Sequence, residues 1–208
     1  MAHKDKRVQV FLEELADSSA TPGGGSAAAL AGAMGAGLLG MVCRLTIGRK
    51  RFAEVEDELR SVLEGAEALR LRLTDLADAD IRVFDQVMAA YRLPKETPEE
   101  QAVRGATIQA GLKGATQVPL ETAKACATVV KLAAQVIEHI NPNALSDAGA
   151  AALLAEAALK SAQLTVAINL AGIHDPIFVG EAQQDLLSIL AGTDEARERV
   201  FAYVLEHG

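Results

Sequence analysis

Thr21-Pro22-Gly23-Gly24-Gly25-Ser26 is the stretch of this sequence with the most chemical promise. Three consecutive glycines leave the backbone unhindered and let a ligand come close. Ser26 stands at the N-cap position of the uncharged, Ala/Gly/Leu-rich run that follows. A turn opening into a helix N-terminus offers unpaired amides and the positive end of the helix dipole, which suits an anion. The same residues also read as a plain turn, because neither the GK[ST] of a P-loop nor a strand-borne GxGxxG is present. Asp80 is the second focus, since it falls on an otherwise apolar helical stripe. A carboxylate there must be paired, hydrogen-bonded or protonated, and its pKa should be displaced, as an acid/base residue requires. A structural Asp bonded to a neighbouring helix is the other reading.

Four more features complete the set. Arg49-Lys50-Arg51 follows Gly48 as a cationic cluster, Lys95 sits in a loop between two prolines, Asp147 opens a helix, and Asn169 lies on a second apolar stripe. Plain readings stand beside these: a solvated charge run, a solvated lysine, a helix cap. Together the set suits binding of an anionic small molecule with general acid/base work. The histidines, His3, His139, His174 and His207, form no HExxH and no ExxH pair, so no metal site is expected. No Ser occupies a GxSxG elbow, and neither Cys43 nor Cys126 has a basic partner in sequence.

The elements that must position these residues are all helical. Val8, Phe11, Leu12 and Leu15 mark a short amphipathic helix, and residues 17–25 form a loop. Residues 26–48 read as a central buried helix, with Ala28, Gly32, Ala36 and Gly40 four apart on a nearly bare face. Such a face suits a tight contact with another helix or a second subunit. Residues 27–43 carry no charge but fall short of the roughly 20 residues of a membrane span. Residues 53–91 show one long stripe: Val55, Leu59, Val62, Ala66, Leu69, Leu73, Leu76, Asp80, Val83, Val87. Thr97 caps a helix over 98–117, with Pro98 in its first turn. Pro119 kinks or restarts it, and 120–139 continues. Asn141-Pro142-Asn143 is a turn, Ser146-Asp147 opens the next helix, and short helices over 176–190 and 193–206 close the chain. The expected fold is all-α, one domain, an antiparallel helical bundle with long helices.

Hydrophobic residues make up 50% of the 208, aromatics only 3%, so the core is one of thin helices in close approach. A net charge of −8 argues against a nucleic-acid surface or a polybasic membrane anchor. The two cysteines read as buried free thiols in a reducing compartment, and the charged start Met1-Ala2-His3-Lys4-Asp5-Lys6-Arg7 does not resemble a signal peptide. A cytoplasmic location is expected.

The stretches ATPGGGSAAALAGAMGAGLLGMVCRLTIGRK, DADIRVFDQVMAAYRLPKET, ATQVPLETA and NPNALSDAGAAALLAEAALKSAQLTVAINL resemble the cyclodeaminase/cyclohydrolase family. That family holds the C-terminal domain of formiminotransferase-cyclodeaminase and stand-alone methenyltetrahydrofolate cyclohydrolases. The likeness spans roughly residues 8–170 and is to the second half of the bifunctional enzyme alone. It implies an all-α homodimer acting on tetrahydrofolate, with or without a polyglutamate tail, and using no metal or redox cofactor. In one direction N10 attacks a formimino carbon on N5 and ammonia leaves; in the other, water opens the 5,10-methenyl ring. The resemblance implies Asp80 as general acid/base, Lys95 as orienter or proton donor, and Asp147 as a second carboxylate. It further implies Gly23, Gly24, Gly25 and Ser26 around the pterin or a carboxylate, Arg49 and Lys50 on the glutamate tail, and Asn169 on the pterin. Two other readings remain: a helical dimer that binds an anionic metabolite without chemistry, and a purely structural bundle.

Overall fold

Small residues at helical spacing let long helices lie side by side, and four of them form the body of the molecule. The computed structural model describes residues 7–208, and the charged run 1–6, with His3, lies outside them. Seven α-helices are present among the described residues: α1 (Val8–Leu15), α2 (Gly24–Thr46), α3 (Glu56–Tyr91), α4 (Pro98–Val136), α5 (Leu145–Ala171), α6 (Pro176–Leu190) and α7 (Thr193–His207). No described residue is in a strand. A 3-10 segment, Lys50–Val55, joins α2 to α3, so α3 begins three residues later than its apolar stripe suggests.

Helices α2, α3, α4 and α5 run up and down and each packs on its two neighbours, closing a four-helix ring with α6 and α7 laid over α4 and α5. Leu39, Val42, Leu59, Leu73, Val129, Val130 and Leu159 fill its interior. Gly32 admits the Cys126 sulfur, which a Cβ there would meet at 2.5 Å. Gly35 lets the backbone of one helix approach another, since its missing Cβ would lie 2.7 Å from the Ala151 carbonyl of α5. The bare face of Ala28, Gly32, Ala36 and Gly40 is therefore filled from within the same chain.

Two expectations change. First, α2 is a wall of the ring and not its centre: Met34, Met41 and Leu45 are exposed on its outward side. By length and composition α2 and Pro142–Ala171 could each cross a membrane, but 61% of the α2 window is buried in the protein's own core. Second, Pro119 does not interrupt its helix; α4 runs unbroken for 39 residues. A proline lacks the N–H that would bond the carbonyl four residues earlier, here Ala115. The Asn169 side-chain amide of α5 donates to that carbonyl instead, at 2.9 Å. The start of α4 is fixed by a capping box between Thr97 and Glu100.

Candidate active site

The glycine turn and Asp80 meet. Gly23 is the residue that flanks α2, extended and without a side-chain cap, and Gly24 and Gly25 form its first turn. Ser26 is not the cap that its position in sequence suggested. It lies inside the helix, fully buried, and its side chain turns toward α3. Its Oγ is 2.9 Å from Oδ2 of Asp80 and 3.1 Å from the carbonyl oxygen of Ala77. Gly25 faces the same carboxylate: a Cβ there would fall 2.6 Å from the Asp80 Cγ, closer than real side chains approach. The absence of a side chain at Gly25 thus makes the space that Asp80 occupies. The Thr21–Pro22 peptide leading into the turn is cis.

Burial pushes the Asp80 carboxyl above its ordinary value, and hydrogen bonds from the Ser26 hydroxyl and backbone N–H oppose that rise. The carboxyl sits at the positive end of α2, half-buried, and holds a proton more readily than a carboxyl in water. Such a group can take a proton and return it. Asp78, two residues earlier, is 7% exposed and escaped the stripe analysis because an i,i+2 residue points to another face. Beside the turn, a cavity of about 510 Å³ opens between α2 and α5, lined by Gly24, Ala27, Ala31, Ala158, Ser161 and Leu164 among others. A second, apolar groove of about 560 Å³ lies between α1 and α2, with Arg70 at its edge.

The other sequence-derived candidates lie elsewhere in the chain. Lys95 is exposed in the loop beyond α3, and its backbone carbonyl accepts from Gln101. Even the end of α3 is eleven residues past Asp80, about 16 Å along the helix. Arg49 and Lys50 are exposed past the far end of α2, whose 23 residues measure ~34 Å. Asp147 is half-buried in the first turn of α5, at that same far end, and makes no cap bond there. Asn169 is half-buried and holds the Ala115 carbonyl.

Sequence reasoning missed two polar latches. Asn141 accepts from Asn143 N–H, receives the Thr46 hydroxyl oxygen on its own N–H at 3.0 Å and donates its amide to the Leu45 carbonyl, tying α5 to the end of α2. Gln109 donates to the Gly172 carbonyl and accepts from His174 N–H. Asn141 lies in a turn, its only local sign, whereas Gln109 lies inside α4 and its partners are 63 and 65 positions away, so nothing local marked it. Cys43 and Cys126 are buried and free, and burial raises their thiols to about 11 and about 12. Neither is a nucleophile at neutral pH. Among the described residues no three His, Cys, Asp or Glu side chains converge as a metal site would require.

Residues 7–188 match a family model described as formiminotransferase-cyclodeaminase. The chain is 48% identical over 200 residues to methenyltetrahydrofolate cyclohydrolase of Methylorubrum extorquens, covering 96% of each chain. It is 35% identical over 186 residues to the formimidoyltransferase-cyclodeaminase of Rattus norvegicus, covering 89% of this chain but only 34% of that one. Its fold superposes on the crystal structure of a formiminotetrahydrofolate cyclodeaminase from Thermotoga maritima with a TM-score of 0.88 at 29% identity, over 98% of both chains.

Proposed function

This chain belongs to the formiminotransferase-cyclodeaminase family, and we propose that it is a tetrahydrofolate one-carbon enzyme that hydrolyses 5,10-methenyltetrahydrofolate to 10-formyltetrahydrofolate. Identity of 48% from end to end with a stand-alone cyclohydrolase favours hydrolysis. Cyclodeamination of 5-formiminotetrahydrofolate is the second reading, favoured by the similarity to a free-standing cyclodeaminase fold. Both reactions pass through a tetrahedral carbon held between N5 and N10, and both need a proton removed from the nucleophile and one delivered to the leaving nitrogen.

The observation that carries the proposal is the half-buried Asp80 carboxylate against the glycine turn. In the hydrolytic direction, water adds to the methenyl carbon and Asp80 takes one of its protons. The C–N5 bond then breaks, Asp80 returns that proton to N5, and the remaining hydroxyl proton leaves as the formyl carbonyl forms on N10. Backbone amides of Gly24 and Gly25, at the positive end of α2, suit a carboxylate or the pterin oxygen. No cofactor beyond the folate is needed for this chemistry. Two free buried thiols are consistent with work in the cytoplasm.

The proposed unit is a homodimer. The outward strip of α2, from Ala27 through Met34, Leu38 and Met41 to Leu45, has no charge except Arg44 at its end. Leu164 and Ile168 continue it on α5, where they are 67% and 73% exposed. In the proposed dimer the two faces pair about a two-fold axis perpendicular to the helices, which sets the partner's α2 antiparallel. Arg49 and Lys50 of one chain would then approach the glycine turn of the other, where they suit the folate glutamate tail. Asp147, at that same far end, is proposed to act at the site from the second copy in the same way, Lys95 to act from the loop beyond α3 of the site's own chain, and Asn169 to face the pterin.

Replacing Asp80 by Asn tests the chemistry. The ultraviolet band of 5,10-methenyltetrahydrofolate should persist with the variant and decay with the native protein, with turnover down by about 10²–10⁴. Helical circular dichroism should be unchanged. Turnover near the native rate would remove Asp80 from the mechanism, and the same assay with 5-formiminotetrahydrofolate separates the two reactions.

A further inference from the structure

The Ser26 hydroxyl has one proton and two acceptors within reach. Oδ2 of Asp80 lies at 2.9 Å and the Ala77 carbonyl oxygen at 3.1 Å. A serine O–H donates once and accepts twice, and a helical carbonyl keeps a second lone pair after its own ladder bond. Only one of the two contacts can therefore be a donation from Ser26 at any moment. If Asp80 is ionised, it can only accept, and the proton must point to it. If Asp80 is protonated, its own O–H can donate to Ser26 Oγ, and the serine proton is free to turn to Ala77. Ser26 is fully buried, so no water competes for either arrangement.

We propose that Ser26 is a positioning residue for Asp80, a hydroxyl rotor that donates to the carboxylate when Asp80 is charged and to the Ala77 carbonyl when Asp80 is protonated. Asp80 then has a partner in both states and stays in place while its proton comes and goes. The consequence for catalysis rests on the acid/base reading of Asp80 given above; the rotor itself rests on the geometry alone.

The charged surroundings are spare enough for this single contact to matter. α2 offers Gly25 and Ser26 and carries no ionisable side chain before Cys43. On α3 itself Asp78 and Arg82 are the nearest ionisable residues in sequence. Across on α4, the contacts Arg72–Glu121 and Gly111–Val87 put residues near Ala115 opposite Asp80. There Lys113 is engaged with Asp175 and Glu121 with Arg72. Burial and the two Ser26 groups are what act on the carboxyl, and no charged side chain is among its influences.

The experiment is a pH titration of carbonyl-labelled and carboxyl-labelled full-length protein by carbon-13 NMR, with Asp80→Asn to assign the Asp80 signal. In the native protein the Ala77 carbonyl should shift with the same midpoint as the Asp80 carboxyl. In Ser26→Ala that Ala77 response should be lost and the Asp80 midpoint should rise by about one unit, because a charge-assisted donor is gone. Ser26→Thr should restore both, and Ser26→Cys, close in volume, replaces the alanine variant if that one does not fold. An Ala77 carbonyl that ignores Asp80, or responds unchanged without the hydroxyl, overturns the rotor. The kinetic counterpart is the acid limb of kcat for 5,10-methenyltetrahydrofolate, which should move up with the Asp80 midpoint while KM stays near native. If the NMR midpoint moves and the kinetic limb does not, the rotor stands and the acid/base role of Asp80 falls.

Discussion

At the scale of single residues, the site is set by what Asp80 loses and gains on folding. Burial raises its carboxyl above the ordinary value of 3.8, so the folded state holds its proton to higher pH than the unfolded state does. Stability from this group then falls as pH climbs from the unfolded value through the folded one, and levels off above it. Asp80→Asn carries no such pH-dependent cost. The melting temperature of Asp80→Asn relative to the native protein should therefore climb as pH rises from about 4. Thermal melts across that range check it, and a difference that stays flat with pH would show that the carboxyl pays no desolvation cost. The spacing of the α3 stripe was enough to single out Asp80, because three-and-four steps report which residues share a buried face. Ser26 was harder to place. A cap is judged from the next three residues, whereas its partners, Ala77 and Asp80, lie 51 and 54 positions along the chain.

At the scale of helices, the pairing of α4 with α5 turns on one side chain. Pro119 leaves the Ala115 carbonyl without its helical donor, and the Asn169 amide fills the gap. Asn169→Ala should lower stability by about 1–3 kcal/mol, the cost of an unsatisfied buried acceptor. Pro119→Ala in that background supplies an N–H at the right place and should recover much of the loss, while Pro119→Ala alone should change little. Urea denaturation of the four proteins gives the coupling, and simple additivity would show that the two sites are unrelated. This also accounts for why the break expected at Pro119 is not there. Local rules count donors along one helix, and the rescuing donor stands on another, where it had read only as a polar residue on an apolar stripe. The helix boundaries themselves were legible because Thr97-Pro98, Asn141-Pro142 and Asp175-Pro176 each place a cap residue before a proline.

At the scale of the whole molecule, the unanswered surface is the outer face of α2 and α5. Apolar spacing told which residues of α2 avoid water, but it could not divide them between the chain's own core and a second copy, since both are equally dry. The fold divides them: Gly32, Ala36 and Leu39 turn inward, and Met34, at 58% exposure, turns out. Two adjacent helices, each ~10 Å across and about 34 Å long, present ~700 Å². That is close to the roughly 800 Å² per partner of a standard stable interface. The proposed homodimer should sediment at twice 21.8 kDa. Met34→Glu with Leu164→Glu should give a folded monomer, because each change buries a charge only in the dimer. Turnover should fall with the dimer if each site draws its cations from the other chain. Mixing decides that point. Asp80→Asn and the double variant Arg49→Ala, Lys50→Ala are each expected to be weak alone. A hybrid of the two holds one site with both defects and one with neither, so refolding them together should return activity to a level neither parent reaches. A native protein that sediments at 21.8 kDa with full turnover, or a mixture no better than its parents, would place the whole site within a single chain.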